Sequence, residues 1–64
     1  MKPPHPPRER AARALARFND VPEDTKLEGR PIWESFLFEA DVVLEAAFGP
    51  EELERMKQDE AKKQ

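Results

Sequence analysis

The side chains best suited to chemistry in this chain are carboxylates, because the sequence has no cysteine, one histidine and one serine. Asp41 and Glu45 are four residues apart, so a helix would place both on one face, where they could bind a hard cation. General acid–base catalysis needs such a pair partly buried, whereas we expect this pair on a solvated stripe. Ser35 has no ordered general base, since His5 lies among prolines. We therefore expect no catalytic residue, no bound metal, no cofactor and no enzymatic activity.

The length and composition favour one small helical domain. The chain has 64 residues, of which 39% are charged and 38% hydrophobic, and many of the hydrophobic residues are alanines. A core of this size supplies only about 3–5 kcal/mol, so either the helices pack efficiently or another chain completes the core. No apolar run approaches the roughly 18 residues that span a bilayer, and the first residues contain no secretory signal. We expect a cytoplasmic protein that does not bind membranes.

Charge is distributed unevenly along the chain. Residues 1–19 carry five basic residues against one acid, residues 20–54 carry eleven acids against two bases, and residues 55–64 are again basic. An acidic middle between basic ends could pair with a second copy, and it repels nucleic acid over most of the surface. We expect a protein partner or a homo-oligomer rather than a nucleic-acid complex.

Proline, glycine and apolar spacing predict an all-α fold. Prolines over residues 1–7 predict a disordered arm, followed by a single domain over residues 8–64. A helical hairpin is predicted over 8–18 and 31–48, with a loop between, and a looser third helix over 50–61. Gly49 suits the end of the second helix, because glycine adopts positive φ at low cost. The predicted apolar face of the first helix consists of Ala11, Ala14, Leu15 and Phe18.

The second helix has two apolar faces. A broad face, predicted to form the core with the first helix, contains Trp33, Phe36, Leu37, Ala40, Val43, Leu44, Ala47 and Phe48. The outer apolar patch consists of Phe38, Val42 and Ala46, beside an acidic stripe of Glu34, Asp41 and Glu45. Either the third helix covers this patch, or the patch is a dimer seam or a partner groove. These six residues are the candidate partner-binding site.

Three arginines share one face of the first helix. Arg10, Arg13 and Arg17 could keep that face solvated and contact the acidic second helix. They could also bind phosphate groups. Neither an aromatic side chain nor a glycine-rich loop lies among them, and both interpretations remain open for this basic face.

The helix and turn signals resemble a group of viral proteins. The run Arg10-Ala11-Ala12-Arg13-Ala14-Leu15, then Pro22-Glu23-Asp24, then Gly29-Arg30-Pro31 with Trp33, Phe36 and Leu37, is similar to small uncharacterised helical proteins of phages and prophages of GC-rich bacteria. The resemblance covers about residues 10–47. It implies an all-α fold, a viral or mobile-element origin and the host cytoplasm as location, and it carries no functional residue.

Three functions are compatible with these features. The first is a non-enzymatic interaction module that binds a host protein, inhibits or redirects it, and self-associates. The second is an acidic decoy that mimics nucleic acid and occupies a basic groove. The third is a small nucleic-acid-binding protein that uses the basic face. Salt dependence separates the second from the first, because salt screens exposed charges but not apolar contacts.

Overall fold

The computed structural model describes residues 5–62 and has an all-α fold, as the sequence predicts. Its elements are helix α1 (Pro7–Phe18), strands β1 (Lys26–Leu27) and β2 (Arg30–Pro31), a 3₁₀ helix (Ile32–Phe36), helix α2 (Leu37–Phe48) and helix α3 (Pro50–Lys62). The helical hairpin and the third helix are confirmed. The two short strands were not predicted.

Helix α1 begins at Pro7, one residue earlier than predicted, so Pro7 belongs to the helix rather than to the predicted arm. Pro7 is the first helical residue, where its missing N–H costs nothing and its fixed φ suits the helix. His5 Nδ1 lies 3.1 Å from Glu9 Oε2, one turn into the helix. The rest of the predicted arm, residues 1–4, lies outside the described residues.

A Schellman motif ends α1. The N–H of Val21 donates to the Ala16 carbonyl at 2.9 Å, and the N–H of Asp20 donates to the Arg17 carbonyl at 3.0 Å. Asp20 has φ 59°, the left-handed conformation that this motif requires. The motif turns the chain sharply away from α1.

The predicted loop over residues 19–30 contains the start of a β-hairpin. Leu27 pairs with Arg30 and Lys26 with Pro31 in antiparallel register. The two turn residues, Glu28 and Gly29, have φ 54° and 83°, as a type I′ turn requires. The hairpin brings the chain back so that Ile32 N–H donates to the Thr25 carbonyl at 2.7 Å.

The predicted second helix over 31–48 is wrong at its N-terminal end. Pro31 is extended, with ψ 139°, and precedes a 3₁₀ helix rather than an α-helix. Ser35 donates its hydroxyl to the Ile32 carbonyl at 2.6 Å, which satisfies a backbone acceptor locally. Since a 3₁₀ helix has three residues per turn instead of 3.6, side chains before Leu37 do not continue the faces of α2.

Gly49 and Pro50 form the corner between α2 and α3. Gly49 ends α2 as predicted and has positive φ, but with φ 95° and ψ 157° it is extended rather than left-handed helical. Helix α3 extends to Lys62, slightly beyond the predicted end, with acids in its first turn and Lys62 in its last. That arrangement suits the helix dipole. Leu53 is buried, so α3 is docked on the rest of the domain.

The core consists of alanine and leucine side chains, and the predicted inner face of α1 is wrong. The buried residues are Ala12, Ala16, Ala40, Leu44 and Leu53. At 100° per residue, α1 is rotated by about a third of a turn from the prediction. Its alanine stripe lies inward because small side chains permit close helix contact. Only Ala40 and Leu44 of the predicted broad face of α2 are buried, whereas Val43 and Phe48 are exposed.

Candidate functional site

More large apolar side chains lie on the surface than in the core. Phe18, Phe38 and Phe48 are 85%, 79% and 61% exposed, and Leu27, Val42 and Val43 are also exposed. Leu44 and Leu53 are the two large apolar side chains that are buried among residues 5–62. Helix α2 therefore has apolar side chains on its solvent side as well as on its core side.

The outer apolar patch is open to solvent. Phe38 and Val42 line a groove of about 250 Å³ together with Asp41, Glu45, Leu53 and Lys57. Leu53 and Lys57 place α3 at the edge of this groove, but Phe38 and Val42 stay exposed. Helix α3 therefore borders the patch without covering it. Ala46 is exposed but does not line the groove.

The three acids of the predicted stripe have different surroundings. Asp41 and Glu45 line the groove beside Phe38. Glu34 belongs to the 3₁₀ helix and lines a separate surface groove with Leu27 and Ile32. The structure therefore brings together Phe38, Val42, Asp41 and Glu45, and it places Glu34 elsewhere because the helix changes type at Leu37.

Arg8 joins all three α-helices. Its Nε and Nη2 donate to Asp41 Oδ1 and Oδ2 at 2.7 and 2.9 Å, and its Nη1 donates to Glu60 Oε2 at 2.6 Å. The hydrogen bonds to Asp41, with a further contribution from Glu60, raise the pKa of Arg8 well above its ordinary value. Sequence analysis missed this cluster, because its members are 33 and 52 residues apart.

Intramolecular contacts occupy two arginines of the predicted basic face. Arg13 donates to Glu9, Glu23 and Asp24 at 2.8–3.1 Å, and its guanidinium lies 5.1 Å from the centre of the Trp33 ring. Hydrogen bonds, first of all to Glu23, raise the pKa of Arg13 well above its ordinary value. The second is Arg17, whose Nη1 donates to Glu23 Oε2 at 2.9 Å.

Arg10, the third arginine of this face, is exposed. It makes no side-chain hydrogen bond or ion pair with the residues that the structure describes. The local acids therefore neutralise much of the face that would bind phosphate, and phosphate affinity depends on the number of cations available.

A second apolar groove lies between α1 and α2. It has a volume of about 380 Å³ and is lined by Ala11, Ala14, Leu15, Phe18 and Val43, and we call it the Phe18 groove. Its α1 residues are those predicted to form the core. Because α1 is rotated, this face is only partly buried: Ala14 and Phe18 are exposed, and Ala11 and Leu15 are half-buried.

The described residues offer neither a metal centre nor a membrane span. Within residues 5–62, no three His, Cys, Asp or Glu side chains cluster as metal ligands. Over the same range, the helices are too short and too polar to cross a bilayer. Comparisons with protein-family models, curated proteins and solved structures give no match. Function must therefore be inferred from the surface of the chain itself.

We expect acidic pH to weaken the attachment of the loop to α1, because Glu23 of this loop pairs with two arginines of the helix. Hydrogen bonds from Arg13 and then Arg17 lower the pKa of Glu23 below its ordinary value of 4.5. The stabilisation is complete above pH 4.5, and it is lost as the pH falls from there through the lowered pKa. Glu23→Gln should therefore reduce Tm at neutral pH, and the Tm difference from the parent chain should shrink below pH 4.5.

Thermal unfolding followed by circular dichroism across this range measures the effect. Glu54→Gln is the matched control, because Glu54 is exposed and has no ion pair within residues 5–62. A Tm difference for Glu23→Gln that stays constant from neutral to acid pH would contradict the assignment.

Proposed function

We propose that this protein is a non-enzymatic interaction module of the phage type, which binds a host protein, inhibits or redirects it, and also associates with itself. The exposure of Phe38 and Val42 supports this proposal most strongly. Val42 lies on the side of α2 opposite Ala40 and Leu44, the residues that face the core. The helix therefore holds the outer apolar patch in place while leaving it accessible.

Phe38 gives the patch an exposed aromatic side chain that can act as an anchor for a partner. A phenylalanine side chain contributes about 1.5–3 kcal/mol when it passes from water to an apolar contact, and central aromatic anchors dominate most interfaces. Glu45 and Lys57 border Phe38, and such charges at the rim select the orientation of a partner. Asp41 forms an ion pair with Arg8. The position of its carboxylate at the rim is therefore fixed, and its charge is already paired.

We expect Val42→Glu to weaken capture of the partner by about tenfold or more, because the new carboxylate would be desolvated in an apolar interface. The protein is immobilised and incubated with bacterial host lysate, and the retained proteins are identified and quantified by mass spectrometry. Leu27→Glu is the matched control, because Leu27 and Val42 are 55% and 56% exposed and Leu27 lies in the hairpin. One stoichiometric host protein, kept by Leu27→Glu and lost by Val42→Glu, is the expected result.

The same experiment in a salt series separates the other functions. Salt-tolerant capture is expected for an apolar contact. Capture that disappears at high salt and ignores Val42→Glu would instead indicate an acidic decoy. Retention of nucleic acid at low salt, lost on Arg10→Glu, would indicate phosphate binding. Capture equal in Val42→Glu and the parent chain would overturn the assignment of the patch.

A further inference from the structure

The Phe18 groove combines large and small apolar side chains on one partly exposed face. Phe18 projects from the end of α1, and Val43 projects from the middle of α2. Ala11 and Ala14 line the same groove, and their methyl groups leave room for another helix at a close distance. The face therefore offers both protruding side chains and a space that can receive them.

We propose that the Phe18 groove is a two-fold dimer seam, in which α1 of one copy packs on α2 of a second copy and Arg10 lies beside Glu39 of that copy. This rests on the self-association included in the proposed function, and it names the surface and the occupant. The seam is separate from the outer apolar patch, which stays available for a host protein.

A two-fold seam must be complementary to itself. Each copy supplies the same protruding side chains and the same alanine-lined space, so each contact occurs twice. A stable dimer buries about 800 Å² on each copy, which is about one sixth of the 5133 Å² surface of the chain. One broad side of a molecule with extents of 30 × 27 × 24 Å is of that size.

Charge selects between the two ways of stacking this face on itself. Arg10 precedes Ala14 by one helical turn and lies along the outer edge of α1, with Arg17 on the same edge. Glu39 precedes Val43 by one turn and lies along the outer edge of α2. If the two-fold axis runs perpendicular to the helices, α1 of one copy stacks on α1 of the other, and Arg10 of one copy comes near Arg17 of the other. If the axis runs parallel to the helices, α1 of one copy stacks on α2 of the other, and Arg10 of one copy comes near Glu39 of the other.

The second arrangement pairs opposite charges, whereas the first sets Arg10 near Arg17, an arginine whose partner Glu23 is shared with Arg13. Arg10 and Glu39 are both exposed. Neither has an ion pair within the described part of the chain, residues 5–62. They are therefore available to a second copy, and reversing either charge removes no ion pair seen in the folded monomer.

A charge exchange tests the seam. Sedimentation velocity over a concentration series measures the dimer Kd of the full chain. Arg10→Glu and Glu39→Arg are each expected to weaken the dimer roughly tenfold, since every reversal acts twice across the two-fold axis. The double variant is expected to restore the parent Kd. An equimolar mixture of the two single variants is expected to form a heterodimer, because both of its contacts pair opposite charges. The carboxylate introduced at position 10 faces the guanidinium introduced at position 39, and the native Glu39 faces the native Arg10, whereas each variant paired with itself sets like charges together twice.

Each other outcome overturns the seam. Strengthening by Arg10→Glu would indicate α1 on α1, since the introduced carboxylate would then meet Arg17. A dimer insensitive to both reversals would place self-association elsewhere. Circular dichroism verifies that every variant has the helix content of the parent chain.

The seam and the host-binding function can fail separately. A monomer at every concentration would refute the seam, while Val42-dependent capture of a host protein would leave the host-binding function standing. Conversely, a charge-dependent dimer without any captured partner would remove the host-binding function and keep the seam.

Discussion

Leu44→Ala is expected to lower the free energy of unfolding by about 2–5 kcal/mol, the cost of removing most of a buried leucine side chain. Leu44 is 8% exposed and is one of two large side chains buried within residues 5–62. A core of this size supplies about 3–5 kcal/mol in total. The variant should therefore be largely unfolded at room temperature and low protein concentration.

Urea titration followed by the helical circular dichroism signal measures this loss. Val42→Ala is the matched control, because it removes an aliphatic side chain two residues away on the exposed side of the same helix. That control should change the free energy of unfolding by less than about 0.5 kcal/mol. Equal destabilisation by both changes would mean that α2 buries a different face.

Arg8→Met is expected to lower the free energy of unfolding by about 1–3 kcal/mol, between the values for exposed and buried ion pairs. The side chain of Arg8 is 17% exposed, and the carboxylates of Asp41 and Glu60 are similarly shielded. Methionine keeps much of the apolar stem and removes the guanidinium. Both carboxylates then lose their partner, and α1 loses a charged link to α2 and to α3.

Arg10→Met is the control for this change, since Arg10 is exposed and has no ion pair in residues 5–62. A double-mutant cycle with Asp41→Asn separates the Arg8–Asp41 interaction from the loss of packing. We expect a coupling of about 1 kcal/mol or more, because the pair is bidentate and partly shielded. Strictly additive effects would show that the pair contributes nothing beyond its separate side chains.

These stability measurements are made at low protein concentration, because self-association would otherwise add to apparent stability.

Local signals predicted most helix boundaries. Gly49 ends α2 through its own positive φ angle, so a single sequence suffices to identify it. The hairpin turn was missed because Glu28-Gly29 lacks the Asn-Gly or Asp-Gly pattern typical of a type I′ turn. The 3₁₀ segment was missed because the apolar spacing from Trp33 to Leu37 also fits an α-helix, and a short segment does not distinguish the two periods.

The candidate site was predicted in part. The spacing of Phe38 and Val42 indicated a second apolar face on α2, and the structure places both side chains at one open groove. Glu34 was assigned to that site on the assumption of an unbroken helix, and the change of helix type at Leu37 moves it away. The Phe18 groove was not predicted as a surface, since its α1 residues had been assigned to the core.

The sequence by itself determined that the chain forms three helices, where most of them begin and end, and that α2 is apolar on two sides. These properties depend on backbone preferences and on the spacing of residues within a few turns. Only the tertiary structure decided which face of α1 is buried. The alanine stripe of Ala12 and Ala16 and the stripe that ends at Phe18 are both apolar, so periodicity alone cannot rank them.

Contacts between distant residues decided which stripe is buried. Arg8 reaches Asp41 and Glu60, and Arg13 reaches Glu23 and Trp33. These contacts are made when the alanine stripe faces inward, because that rotation of α1 directs both arginines toward the rest of the domain. The same rotation leaves Phe18 exposed, and no pattern within a few turns of sequence contains that information.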